Sequence, residues 1–299
     1  MDVEKRVVEE RVVPDNDVSS TALTVLQGLL YTGRKPAYAH LVSEEAMAAS
    51  ECLLSHSEAG RKRLKQLQSP LFRALVPWVE RLMIPGLTLH YALRKQCIED
   101  HARAAISQGV TQVVNLGAGF DTLALRLAQE FPDVCFIEVD QPATQQYKAD
   151  ALQAQQSRCH LLPVDFATQS LEQQLAQADV YTAEKPTLFI AEGVLMYLSE
   201  PDVKALFTGL KRLSGDRMEV IFTYLDPSQH KANGPVLSWY LRLKKEPLHW
   251  RVGRTELGDF LAAMDYRLDD VIDTPEFKRR YFSGQDVTLQ RGEAVAVAR

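Results

Sequence analysis

From about residue 110 the chain repeats one rhythm, and few folds accept it. TQVVNLG, DVCFIEVD, CHLLPVD, PTLFIAEG and RMEVIFTY are apolar runs rich in branched residues, and helix-period stretches lie between most of them. Strands joined by helical crossovers run parallel, and helices then cover both faces of the sheet. The expected class is α/β, a doubly wound and mostly parallel sheet. Leu123, Leu127, Ala128 and Phe131 share one helix face, as do Val203, Leu206, Phe207, Leu210 and Leu213, so these read as core stripes. A helix over TELGDFLAAMDY, with Thr255 as its cap, and a last strand at EAVAVAR complete the core.

The remaining chain divides around that core. Residues 1–18 read as a flexible, charged tail. Residues 19–108 are helical in pattern, broken around Pro36, Ser69-Pro70, Pro77 and Pro85-Gly86, and form a helical cap on the core. Residues 109–299 are the core itself, with an insert at about 226–250 that is placed to fold over a ligand.

An open parallel sheet binds ligands beyond the carboxyl ends of its strands, where strand order reverses. The first strand ends in Gly117-Ala118-Gly119, the second in Asp140 followed by Gln141, the third in Asp165-Phe166 and the fourth in Glu192-Gly193. Two glycines let a ligand lie against bare backbone, and the next helix offers its first amides. Asp140 lies 21 residues beyond Gly119, where an acid can accept hydrogen bonds from both ribose hydroxyls; a plain turn carboxylate is the alternative. Asp165 can take an adenine amine, with Phe166 as the apolar neighbour, or cap a helix. Glu192 interrupts LFIAEGVLMY, a costly place for a charge unless it is paired or functional. Arg94, on the helix that begins near Tyr91, can clamp a carboxylate with two parallel bonds if the ligand carries one; otherwise it is a surface arginine.

Glycines followed by an acid suit either a dinucleotide or a nucleoside with a charged tail. The dinucleotide fingerprint places a third glycine or alanine where this chain has Thr122, which weighs against a pyrophosphate.

Composition removes other classes. The formal net charge of -5 disfavours nucleic acid as a partner. Four separated cysteines, Cys52, Cys97, Cys135 and Cys159, signal neither a zinc cage nor a disulfide framework, so no metal and a reducing, cytoplasmic setting are expected. The charged start MDVEKRVVEERVV is no signal peptide, no run reaches membrane-spanning length, and no membrane partner is expected.

Taken together, VVNLGAGFDTLALRL, FIEVDQP, LLPVDF and AEGVLMYLSE, in this order and at these separations, resemble the leucine carboxyl methyltransferase family and its bacterial O-methyltransferase branch. The resemblance runs from about residue 19 to the C-terminus and is strongest over 94–200. It implies a class I, Rossmann-like sheet of seven strands with the last antiparallel, a helical N-terminal cap, and S-adenosyl-L-methionine as methyl donor. By position it implies that Arg94 holds the methionine carboxylate and that Gly117, Ala118 and Gly119 form the glycine turn. Asp140 with Gln141 then sits at the ribose, Asp165 with Phe166 at the adenine, and Glu192 near the methionyl amine.

The implied reaction is O-methylation of a carboxylate or hydroxyl on a small molecule, with methylation of a protein's C-terminal leucine less expected. A nucleotide-dependent oxidoreductase and a cofactor-binding regulatory module without turnover are the rivals. A carboxylate acceptor needs no base, whereas an alcohol profits from one. Tyr197, Tyr224, His230 and His249 are weak candidates for that role, and Arg242, Lys244, Lys245 and Arg251 are either an attraction for an acidic acceptor or a solvated charge run. The sequence leaves the oligomeric state open.

Overall fold

Branched and apolar residues that are buried on both faces favour central parallel strands, and the sheet is built from them. The computed structural model describes residues 19–152, 158–166, 168–215, 217–230, 248–283 and 285–299. Seven strands, β1 (Gln112–Leu116), β2 (Cys135–Asp140), β3 (Cys159–Pro163), β4 (Thr187–Ala191), β5 (Met218–Leu225), β6 (Leu268–Ile272) and β7 (Glu293–Ala298), form one sheet in the order β3-β2-β1-β4-β5-β7-β6. The first five pair in parallel, and β7 runs antiparallel to both β5 and β6. Strand order reverses between β1 and β4, so the crevice at their carboxyl ends is the expected ligand position.

Strand alternation sends neighbouring side chains into two separate cores. Val113, Phe136, Leu188, Ile221 and Val295 join one cluster with the N-terminal helices α1 (Ser20–Gly33), α2 (Glu44–Ser55), α3 (Glu58–Gln68) and α5 (Leu87–Ser107), and with α6 (Leu123–Glu130). Val114, Ile137, Phe189, Phe222 and Ala296 join the other, against α8 (Leu171–Gln177), α9 (Glu200–Ser214) and α10 (Arg254–Ala262). Helix α7 (Pro142–Ala151) follows β2, and α11 (Thr274–Tyr281) lies between β6 and β7. The helices before β1 share a continuous core with the sheet.

Serines start the first four helices. Ser19, Ser43, Ser57 and Ser69 each accept a bond from an amide three residues on, closing the N-termini of α1, α2, α3 and α4 (Pro70–Met83). Pro77 does not break the chain as its residue type suggests; it lies inside α4. Proline has no N–H for the Arg73 carbonyl four residues back, and the Tyr31 hydroxyl supplies the donor at 3.2 Å. Glu80 of α4 then accepts the Thr88 amide at 2.8 Å, capping α5 where Gly86 has no side chain to do so.

One further expectation, the cap of the helix over TELGDFLAAMDY, is corrected. Thr255 is not the cap of α10: the helix begins at Arg254 with Gly253 at the cap position, and Glu256 accepts the Gly253 amide at 3.3 Å. Strand β6, reading LDDVI, carries two acids on the sheet edge and has no alternating apolar signal. The expected tail, residues 1–18, and residues 231–247 of the insert, with Arg242, Lys244 and Lys245, lie outside the described residues. All four cysteines are free thiols.

Candidate active site

At the crevice between β1 and β4 the backbone turns sharply. Gly117 takes φ 60° and Gly119 φ 50°. A Cβ on Gly117 would stand 2.4 Å from Val194 Cγ2, so both conformation and space demand glycine there. The Ala118 amide bonds the Val139 carbonyl at 3.1 Å, fastening the turn to the end of β2. Asp140 completes the fastening: one carboxylate oxygen accepts the Gly119 amide at 2.6 Å and the other the Gln141 amide at 2.7 Å. At the end of β4, Gly193 has φ 68° and open space where a Cβ would stand.

Beneath this turn, charged side chains from four elements meet out of water. Arg94 of α5 is only 6% exposed. Its Nε donates to Glu192 at 2.8 Å and its terminal nitrogen to Glu293, the first residue of β7, at 2.7 Å. Lys95 bonds Asp121 at 3.1 Å and Glu192 at 3.2 Å. His90 Nε2 reaches the second oxygen of Glu293 at 2.9 Å. Burial alone would push the Glu293 carboxyl up, but the Arg94 charge and the His90 and Arg94 hydrogen bonds outweigh it and hold the group at about 2. Asp121 is likewise held below the usual carboxylate range, against its burial, by Lys95, Lys148 and Arg126. The same carboxylate accepts the Thr122 and Leu123 amides at 2.7 and 3.3 Å, capping α6.

One layer deeper, Lys148 of α7 bonds Glu138 of β2 at 2.6 Å, with both side chains fully buried, and also donates to the Asp121 carbonyl. Burial raises the Glu138 carboxyl more than its lysine partner lowers it. This pair links β2, α7 and the start of α6 directly under the turn.

Together these elements enclose a cavity of about 670 Å³. Of the residues expected from sequence, Arg94, Gly117, Ala118, Gly119, Asp140, Gln141, Glu192 and Tyr197 line it. Asp165 and Phe166 do not: Asp165 accepts the Thr168 hydroxyl at 2.9 Å in a turn past β3, and Phe166 is exposed beside it. Tyr224 is sealed in the second core cluster, where burial pushes its hydroxyl up to about 12. His249 is exposed and lines no part of the cavity, its amide bonding the Met196 carbonyl at 2.8 Å; Arg251 is exposed as well. The His230 side chain lies outside the described residues. Lys95, Asp121 and Glu293 are cavity residues that the sequence reading does not single out. Asp121 alone carried a local signal, as an acid directly after the glycine turn and before a helix. Among the described residues no group of acids, histidines and cysteines could hold a metal ion.

Known proteins agree with this architecture. The family profile for leucine carboxyl methyltransferase matches residues 37–211. A Streptomyces coelicolor protein provisionally named an S-adenosyl-L-methionine-dependent methyltransferase is 32% identical over 172 residues, covering 54% of this chain and 60% of its own length. A Mycobacterium tuberculosis protein named in the same way is 32% identical over 130 residues, covering 42% of each chain. The chain thus spans about 60% or less of the curated relatives it matches. Among solved structures, a DUF574 family protein from Streptomyces avermitilis aligns at TM-score 0.58 with 13% identity, over 92% of this chain and 96% of its own. A provisionally named methyltransferase from Thermobifida fusca aligns at 0.56 with 16% identity, over 89% and 98%. These likenesses show the fold, the class I methyltransferase sheet with its last strand antiparallel. With 175 of its 299 residues inside the profile, the chain belongs to the leucine carboxyl methyltransferase family.

Proposed function

We propose that this protein is an S-adenosyl-L-methionine-dependent O-methyltransferase that modifies a carboxylate or hydroxyl of a small molecule. The observation that carries the reading is the pairing, in one cavity at the strand reversal, of a bare Gly117–Gly119 backbone with buried groups of both signs. That donor presents a ribose, an ammonium and a carboxylate, and each has a counterpart. Asp140 keeps lone pairs for ribose hydroxyls after accepting the Gly119 and Gln141 amides. Arg94 has five N–H donors and spends two on Glu192 and Glu293, which leaves three for a carboxylate, with Lys95 beside it. Glu192 and Asp121 offer charge to the ammonium. Asp165 and Phe166 stand outside the cavity wall, so an adenine contact there requires the ligand to extend past Asp140 along β3.

When bound, the donor supplies a methyl group already activated on a sulfonium. The chain's part is then to hold the reacting groups in line and to keep water away. Among the described residues no histidine lines the cavity, and of the base candidates suggested by the sequence Tyr197 alone stands on its wall. A carboxylate acceptor, ionised near neutral pH, suits such a site, because it needs no proton removed. Thr122, buried where a dinucleotide site carries a third small residue, speaks against the oxidoreductase reading.

Release of S-adenosylhomocysteine is the test, measured with panels of small carboxylic acids, phenols and peptides ending in leucine. A base-labile product from a small acid is the expected result. Product from the leucine peptide alone, binding of NAD(P) in place of the donor, or donor binding without turnover on a full extract of acceptors would each overturn the reading.

A further inference from the structure

Helix α4 has none of its fourteen residues buried, although its neighbours pack into the core. Leu71, Leu75, Trp78, Val79 and Leu82 follow the i, i+4, i+7, i+8, i+11 spacing of one helix face, and that face is turned outward, with Trp78 65% and Leu82 78% exposed. The opposite side is held down: Phe72 and Val76 pack on the core, and Glu80 caps α5. Five large apolar side chains in one exposed stripe mark a surface that something covers.

Charge indicates what. Residues 58–83, which are α3, α4 and their one-residue joint, carry six basic residues (Arg61, Lys62, Arg63, Lys65, Arg73 and Arg81) against Glu58 and Glu80, a formal +4 within a chain of -5. Lys62, Lys65, Arg73 and Arg81 are exposed, and among the described residues none of them has an ion-pair partner. An exposed apolar stripe with tryptophan, on a helix pair whose exposed cations have no ion-pair partner, fits a helix that lies in a lipid interface. A symmetric contact between two copies would set +4 against +4, which disfavours self-association through this face.

We infer that α3 and α4 form a docking surface for an anionic lipid membrane, with the Leu71 to Leu82 stripe immersed among the acyl chains and the basic residues at the headgroups. The described helices include none long and apolar enough to cross a bilayer, and an interfacial helix needs no such length. Val79 and Met83 of α4 also line the cavity, and Val79 is half exposed, so it stands at the rim. Docking therefore sets the cavity mouth against the lipid surface. Lipid docking through α3 and α4 needs neither methyl donor nor acceptor.

Co-sedimentation of the full chain with vesicles tests it, comparing phosphatidylcholine alone with phosphatidylcholine mixed with phosphatidylglycerol. The protein is expected to partition onto the mixed vesicles and not onto the neutral ones. Each basic residue near the surface is worth about fivefold, so Lys65→Gln with Arg81→Gln weakens partitioning about 25-fold. Trp78→Glu with Leu82→Glu weakens it by roughly tenfold or more. All four positions are exposed, so unchanged thermal melting should certify the fold of both variants. Failure to bind mixed vesicles, equal binding to neutral ones, undiminished binding by both variants, or a concentration-dependent dimer that Trp78→Glu with Leu82→Glu dissociates would overturn the inference.

Discussion

Replacing Glu293 by glutamine isolates the electrostatics under the glycine turn. Glutamine keeps the shape and can still accept from Arg94, but it removes the charge that faces that guanidinium. The carboxyl is held at about 2, against about 4.3 for a free glutamate, and one pKa unit corresponds to about 1.4 kcal/mol, so the charge contributes about 3 kcal/mol to folding at neutral pH. A depressed pKa gives stability that is fully present above the unfolded value and is lost as pH falls through the folded one. The loss therefore falls between about pH 5 and pH 2. His90 adds to the cost, because an amide donor facing its Nε2 forces the proton onto Nδ1, which is buried with no partner. Urea unfolding of parent and Glu293→Gln, followed by tryptophan fluorescence, should show a gap of at least about 3 kcal/mol at pH 7 that shrinks by about 1.5–2 kcal/mol at pH 3. A gap that is the same at both pH values, or below about 1 kcal/mol at pH 7, would refute the reasoning.

Three other outcomes follow from single contacts. Tyr31→Phe removes the donor that serves the Arg73 carbonyl opposite Pro77, and should cost about 1 kcal/mol in urea unfolding. Lys148→Met strands the buried Glu138 charge and should cost about 3–5 kcal/mol, whereas Lys148→Met with Glu138→Leu should recover most of it in the same assay. Gly117→Ala drives a methyl group into Val194 at a left-handed backbone position, so it should weaken donor binding in calorimetry and lower the melting temperature, and Val194→Ala should restore part of both.

The sheet was legible wherever burial wrote an apolar run. Strands β1, β2, β4 and β5 read directly, because both of their faces are covered. Strand β6 did not, because its edge position lets Asp269 and Asp270 stand partly in solvent. Full burial also hid orientation: with every residue of β5 buried, alternation could not tell that Tyr224 turns into the core and away from the crevice. Pro77 misled for a different reason, since the Tyr31 hydroxyl that makes it tolerable comes from a helix more than forty residues earlier. The site divides along the same line. Gly117, Gly119, Asp140 and Glu192 announced themselves as strand ends, and Arg94 through the family resemblance. Glu293 is a strand start 199 residues from Arg94, and only the antiparallel insertion of β7 beside β5 brings it to the crevice. Lys95 looked like any surface lysine until Asp121 and Glu192 surrounded it. The outward turn of the apolar face in LFRALVPWVERLM is not legible in the sequence, because composition alone does not say which face of a helix meets solvent.

Calorimetric titration of the full chain with S-adenosyl-L-methionine, repeated on Asp140→Asn, tests the central claim most directly. Hydrogen bonds to a charged acceptor are worth about 1.5–3 kcal/mol, so the account predicts binding by the parent and a loss of about 10- to 100-fold in the variant. No binding by a folded parent, or equal binding by Asp140→Asn, would contradict it.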